Sequence, residues 1–252
     1  MPSIARDACG LVATVPHHAQ TARDIRAAFG MNHASREAMA CNDVPRTRRV
    51  ALTGGPGAGK TAVLELVRRL LCDRVTILPE SAGLLFGGGF PRGPSAVLRR
   101  AAQRAIFHVQ RELEATTEGQ TLSIVLCDRG TVDGGAYWPG PGELWPEVGT
   151  TRAAELARYD AVIHLRTPVT GYNHQNPLRT ESDAEARRID DRIAALWAGH
   201  PRRHEVGAEP EFFAKAVHAI RALRDELPEC CRAHVVELVE SPALMAHAMQ
   251  VR

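Results

Sequence analysis

The chain has 252 residues, 44% of them hydrophobic and 24% charged, the balance of an ordinary globular protein with a substantial core. A formal net charge of +2 is too small to argue for a nucleic-acid or membrane-surface partner. No stretch approaches the roughly 20 apolar residues that cross a bilayer.

Residues 1–47 show little periodicity and read as a partly disordered extension, with one helix expected near Thr21–Phe29. The first residues lack the apolar segment of a signal peptide, so a cytoplasmic location is expected. The six cysteines show no C-x-x-C pair, which fits a reducing compartment without a structural zinc site. Only Lys60 and Lys215 are lysines, so nearly all positive charge sits on arginine.

From Arg48 strands alternate with helices. The strand Arg49–Thr53 runs into G-G-P-G-A-G-K-T, followed by a helix over Lys60–Cys72. This is a complete phosphate-binding loop, G-x-x-x-x-G-K-T, filled by Gly54, Gly59, Lys60 and Thr61. Successive backbone N–H groups must curl around a polyphosphate, and side chains there would collide with it. Gly55, Gly57, Ala58, Gly59, Lys60, Thr61 and Ala62 are the expected nucleotide contacts. Lys60 reaches the β/γ-phosphates, Thr61 offers its hydroxyl to Mg²⁺, and the helix points its positive end at the anion.

A second strand, Val75–Leu78, ends at Pro79-Glu80, and the glycine-rich stretch from Gly83 to Pro94 reads as a loop. A long helix is expected over Ser95–Thr117. The third strand, T-L-S-I-V-L-C, is the near-continuous apolar run of a parallel strand covered on both faces. It ends in D-R-G. A loop rich in Gly, Pro and Trp covers Gly134–Gly149, and a helix follows near Thr151–Ala157. The fourth strand is D-A-V-I-H-L. A polar segment gives way to a helix over Asp183–Trp197, then one over Glu211–Leu227. H-V-V-E-L reads as the fifth strand, and Ser241–Gln250 as a closing helix. Repeated βα units predict a three-layer αβα domain over residues 48–252, built on a doubly wound, five-stranded parallel sheet with ligands at the strands' carboxyl ends.

Three clusters fall where such a sheet places its site. Asp128 and Arg129 follow strand three, where a carboxylate holds Mg²⁺ directly or through water; a turn with a surface ion pair is the plainer reading. Glu80 follows strand two and either faces an acceptor hydroxyl as general base or anchor, or is a helix N-terminal carboxylate. Arg179, Arg187, Arg188 and Arg192 lie within a prospective lid near residues 171–192 that would close on a transferring phosphoryl group. The interleaved acids Glu181, Asp183, Glu185, Asp190 and Asp191 equally allow a solvated, ion-paired helix. Tyr137, Trp138 and Trp145 either stack on a flat substrate group or form a satellite core. His174 and His200 are singletons without metal-ligand spacing.

The phosphate loop, I-L-P-E-S-A, D-R-G-T-V-D-G-G-A-Y-W-P, Y-D-A-V-I-H-L-R-T-P and the R-x-E region ending W-A-G-H-P-R together resemble a predicted AAA-type ATP-binding family. That family is related to P-loop nucleoside and nucleotide kinases, ribosylnicotinamide kinase domains among them. The likeness covers roughly Arg48 to Ser241. It implies ATP·Mg²⁺ bound through Gly57, Gly59, Lys60 and Thr61, with Asp128 at the metal position. It also implies Glu80 on the acceptor, and Arg187 or Arg188 in the lid. D-R-G stands where a ring-forming ATPase would carry D-E-x-x, and no sensor-arginine motif is seen, which favours a kinase-like monomer or homodimer. The leading expectation is a phosphotransferase that moves the ATP γ-phosphate to a nucleoside-like or other small hydroxyl- or phosphate-bearing acceptor, with Arg129 and Tyr137 beside that acceptor. The alternatives are an ATPase switch for a protein partner, and nucleotide binding without turnover.

Overall fold

The computed structural model describes residues 46–68, 74–120, 122–168, 182–209 and 211–240, all within the compact unit Cys41–Arg252. The helix expected at Thr21–Phe29, the closing helix at Ser241–Gln250 and the polar segment carrying His174 and Arg179 lie outside these residues.

Five strands form one all-parallel sheet: β1 (Arg48–Thr53), β2 (Val75–Leu78), β3 (Ile124–Asp128), β4 (Ala161–Leu165) and β5 (Arg203–Val206), in the order β2-β3-β1-β4-β5. Alternate residues of the central strands point to opposite faces. Val50, Leu52, Ile124, Leu126, Ile163 and Leu165 join one core cluster, while Ala51, Val125, Cys127 and Val162 join the other. Burial on both faces is why these strands read as unbroken apolar runs.

The helices are α1 (Lys60–Arg68), α2 (Ser81–Gly87), α3 (Ala96–Ala115), α4 (Arg152–Leu156), α5 (Asp183–Trp197), α6 (Phe212–Arg224) and α7 (Glu229–Glu240), with single helical turns at Gly134–Tyr137 and Leu144–Glu147. Val63 and Val67 of α1, Ala216 and Ile220 of α6, and Cys231 and Val235 of α7 cover one face; Ile189, Ile193 and Trp197 of α5 cover the other. The architecture is the three-layer αβα sheet expected for a P-loop protein. Among the described residues no helix is long and apolar enough to cross a membrane.

Two expectations are corrected. H-V-V-E-L is not the fifth strand; it lies inside α7, and the strand paired with β4 is the charged segment R-H-E-V at Arg203–Val206. The cause is periodicity. Cys231 and Val235 are four residues apart and fully buried, and Val239 continues that stripe. The stretch after Glu80 is not all loop, since α2 occupies Ser81–Gly87. The triplet Gly87–Gly89 stops it, with the Gly88 N–H donating to the Leu84 carbonyl and Gly89 at φ 90°.

The α3 arginines pin the segment that follows β3. Arg99 donates to the Tyr137 carbonyl at 3.2 Å, and Arg100 to those of Pro139 at 3.4 Å and Pro141 at 3.1 Å. Arg100 also lies over the Trp138 ring. Trp145 is buried in the core and Tyr137 lines the cleft, so the three aromatic residues divide between packing and the site. His200 is a packing residue, buried with Nε2 at 2.9 Å from the Tyr159 carbonyl oxygen.

Candidate functional site

The β1 end carries the phosphate loop at the middle of the sheet, where β3 lies on one side and β4 on the other. Gly54, Gly57 and Gly59 adopt φ of 137°, 74° and 93°, which side-chain-bearing residues rarely enter. The loop is also packed to its backbone: a Cβ on Gly54 would lie 2.1 Å from the Leu165 carbonyl oxygen, and one on Gly55 2.7 Å from the Asp190 Cβ.

Lys60 is 6% exposed and donates to the carbonyls of Gly54 at 2.9 Å and Gly55 at 3.1 Å. Burial, then the nearby Arg129 charge, lowers its pKa to about 8. An anion entering the loop would pull it back toward its ordinary basicity.

The parallel register sets Leu52 of β1 opposite Asp128 of β3, which brings the acid to the base of the loop. Asp128 is 6% exposed, and among the described residues its buried Oδ1 has no hydrogen-bond partner. Burial pushes its carboxyl up to about 6, against the pull of the Lys60 ammonium. An unpartnered buried carboxylate oxygen next to a phosphate loop fits a Mg²⁺ site completed by the exposed Thr61 hydroxyl and by phosphate oxygens. Among the described residues no three His, Cys, Asp or Glu side chains gather as a self-sufficient metal site.

Arg129 follows with φ 74°, a left-handed conformation that turns its side chain back across the site. Its Nε donates to Glu80 Oε1 at 2.6 Å, and its Nη1 to the Gly54 carbonyl and to Asp133 Oδ2, each at 3.1 Å. The guanidinium carbon lies 5.7 Å from the centre of the Tyr137 ring. One side chain thus joins the strand-two acid, the phosphate loop and the segment after β3. Glu80 occupies the N-cap position of α2 but makes no side-chain capping bond there; its carboxylate accepts from Arg129.

Two acids central to this arrangement were passed over in the sequence. Asp133, 3% exposed, accepts from the Thr53 hydroxyl at 2.6 Å, from Arg129, and from Trp197 Nε1 at 2.7 Å. Its signal was an acid five residues after Asp128 within the D-R-G run. Asp190 belonged to the acids expected to pair along a solvated helix, yet it faces inward. It accepts the N–H groups of Gly55 at 2.8 Å and Thr167 at 3.1 Å and lies 2.9 Å from His164 Nε2. Burial alone would raise its pKa; the His164 hydrogen bond, the His164 charge and the two N–H donors hold it below the usual carboxylate range. The visible clue was an acid on the apolar stripe of Ala186, Ile193 and Trp197.

These residues open onto a cleft of about 700 Å³. Gly57, Ala58, Gly59, Lys60, Thr61, Glu80, Arg129 and Tyr137 line it. Gly55 is buried behind the loop, Asp128 is buried at the end of β3, and Ala62 is exposed in the first turn of α1, all three outside the lining. From α5 the cleft receives Glu185, Ile189 and Arg192, whereas Arg187 and Arg188 do not line it.

A family model described as an AAA domain matches residues 49–207, which run from the start of β1 to just past β5. No curated protein matches the chain.

Proposed function

Since the chain belongs to the AAA-domain family of P-loop nucleotide-binding proteins, we propose that its chemistry is phosphoryl transfer from ATP to a small hydroxyl-bearing acceptor, nucleoside-like molecules included. The observation that carries this reading is the Glu80–Arg129 pair. It sets a carboxylate beside the phosphate loop at 2.6 Å from the arginine, in a cleft whose walls continue past that loop between α2 and α3.

In this mechanism the N–H groups of Gly57, Ala58 and Gly59 and the α1 N-terminus hold the phosphates, and Lys60 adds its charge to the β/γ-phosphates. Asp128 and Thr61 would hold Mg²⁺, which when bound neutralises charge on the phosphate oxygens. Glu80 accepts the hydroxyl proton of the acceptor, and the acceptor oxygen forms its bond to the γ-phosphorus. The bond from that phosphorus to the β–γ bridging oxygen breaks, and ADP leaves. Arg129 keeps Glu80 aimed and carries positive charge next to the transferring group; Asp133 holds Arg129 in place. Among the described residues, Arg192 of α5 is the cleft-lining member of the prospective arginine lid.

The test is ADP release and phosphorylated product measured with ATP·Mg²⁺ across a panel of nucleosides and other alcohols, with Lys60→Ala as the inactive control. Turnover stimulated by an acceptor, with product equal to ADP, supports the kinase. Slow turnover that no acceptor changes sinks it and favours the ATPase switch.

A further inference from the structure

The cleft offers much more than a seat for phosphates. Its α3 wall runs from Leu98 to Gln110, about 18 Å of helix. Gln110 marks the deep end, because its Oε1 accepts from Ser81 Oγ at 2.6 Å and Ser81 directly follows Glu80. Arg99 lies eleven residues earlier on α3, about 16 Å along the axis.

Between these ends the wall is apolar apart from Gln103, which is 9% exposed. Phe86 comes from α2, and Leu98, Ala102, Ile106 and Phe107 from α3. The buried polar groups at the deep end are committed to one another. Ser81 donates to Gln110, and Gln110 Nε2 donates to Glu114 at 3.0 Å. A body rich in hydroxyls would find few partners along this wall, Gln103 being the polar exception.

Among the described residues the acids of the lining are Glu80 at the deep end, Asp133, which already accepts from Thr53, Arg129 and Trp197, and Glu185 on the α5 side. Lys60, Arg129 and Arg192 also line the cleft, with Arg129 paired to Glu80. Toward the other end the lining carries two exposed arginines, Arg92 and Arg99. Arg92 lies 5.0 Å from the Phe86 ring centre, and Arg99 gives one of its five N–H donors to the Tyr137 carbonyl.

We propose that the acceptor is a hydroxy acid with an apolar body: its hydroxyl at Glu80, an aromatic or branched hydrocarbon body along Phe86, Ile106 and Phe107, and a carboxylate or phosphate at Arg92 and Arg99. This rests on the phosphotransferase reading and narrows its substrate. Guanidinium groups select planar oxyanions through paired N–H bonds.

Three probes test it on the full chain with ADP present: 4′-(hydroxymethyl)biphenyl-4-carboxylate, its neutral counterpart biphenyl-4-methanol, and uridine. Calorimetric titration should show the carboxylate probe binding about tenfold tighter than the neutral one. The exposed pair Arg92→Gln/Arg99→Gln should erase that difference and leave affinity for biphenyl-4-methanol and ADP unchanged. Equal binding of the two biphenyl probes, tighter binding of uridine, or no binding of the carboxylate probe at millimolar concentration overturns the proposal. Product analysis with ATP separates it from the parent reading. Selective binding of the carboxylate probe, with turnover that no acceptor of the panel stimulates, rejects the kinase and keeps the ligand class; preferential phosphorylation of uridine does the reverse.

Discussion

Asp190 holds Gly55: the carboxylate on α5 accepts the phosphate-loop N–H at 2.8 Å, and a Cβ at position 55 would lie 2.4 Å from Thr167 Oγ1 and 2.7 Å from Asp190 Cβ. The same carboxylate accepts from Thr167, so the start of the loop and the end of β4 share one buried acceptor. Asp190→Ala leaves two buried N–H donors without their partner. It should cost about 2–4 kcal/mol in chemical denaturation and weaken ADP binding at least tenfold in a titration of the folded variant. Unchanged ADP affinity would show that the loop keeps its shape without α5.

Trp197 is tied to the site through Asp133. Trp197→Phe retains most of the buried ring but removes the 2.7 Å donor, leaving Asp133 with Thr53 and Arg129. A loss of about 1–2 kcal/mol is expected. The kinetic expectation is a lower kcat with ATP affinity little changed, because Arg129 and the Glu80 it orients lose their anchor while Lys60 does not. Equal losses in ATP binding and kcat would count against this order of dependence.

Asp128 sets stability against function. Its carboxyl is raised to about 6 by burial, above the unfolded value near 3.8. Between these values the folded chain binds more protons than the unfolded one, so this residue's contribution to stability falls as pH rises through that window and stays low above it. Asp128→Asn should therefore stabilise the nucleotide-free protein at pH 8 by about 1–2 kcal/mol and flatten its pH dependence between about 4 and 6. The same variant should lose Mg²⁺-dependent turnover. Thermal unfolding across pH with and without ATP·Mg²⁺ reads both effects, and a destabilised variant at pH 8 would contradict the account.

Glu80 and Lys60 should separate by phenotype. Lys60→Ala removes the phosphate cation and should abolish both tight nucleotide binding and turnover. Glu80→Gln keeps the shape of the side chain and should spare ADP binding while lowering acceptor phosphorylation by about 10²–10⁴-fold. Transfer at the parent rate in that variant removes Glu80 from the chemistry.

Much of this was legible in the order of residues because each signal was local. G-G-P-G-A-G-K-T is contiguous, β1, β3 and β4 are apolar runs, and Asp183–Trp197 emerges with the bounds expected; the structure adds its cap, Ser182 Oγ accepting the Glu185 N–H at 3.3 Å. What escaped depends on partners distant in sequence. Asp190 becomes a loop anchor only because β4 and α5 bring it against Gly55, 135 positions away. Asp133 needs Trp197, 64 positions on. Arg192 and Arg187 cannot be told apart without the rotation of α5 about its axis. The segment H-V-V-E-L misled because a short β-branched run suits a strand and a buried helix stripe alike, and tertiary packing chose the helix.

β5 has a further consequence for solution behaviour. It is an edge strand of four residues, and Arg203, His204 and Glu205 fill all but its last position. Arg203 and Glu205 pair with each other, and His204 reaches Glu226 at 3.0 Å. A brief, ion-paired rim is a poor template for another strand, so this border of the sheet resists strand addition from a neighbouring molecule. The polarity that makes β5 hard to read as a strand is the same property that makes this edge a poor template for a neighbouring chain.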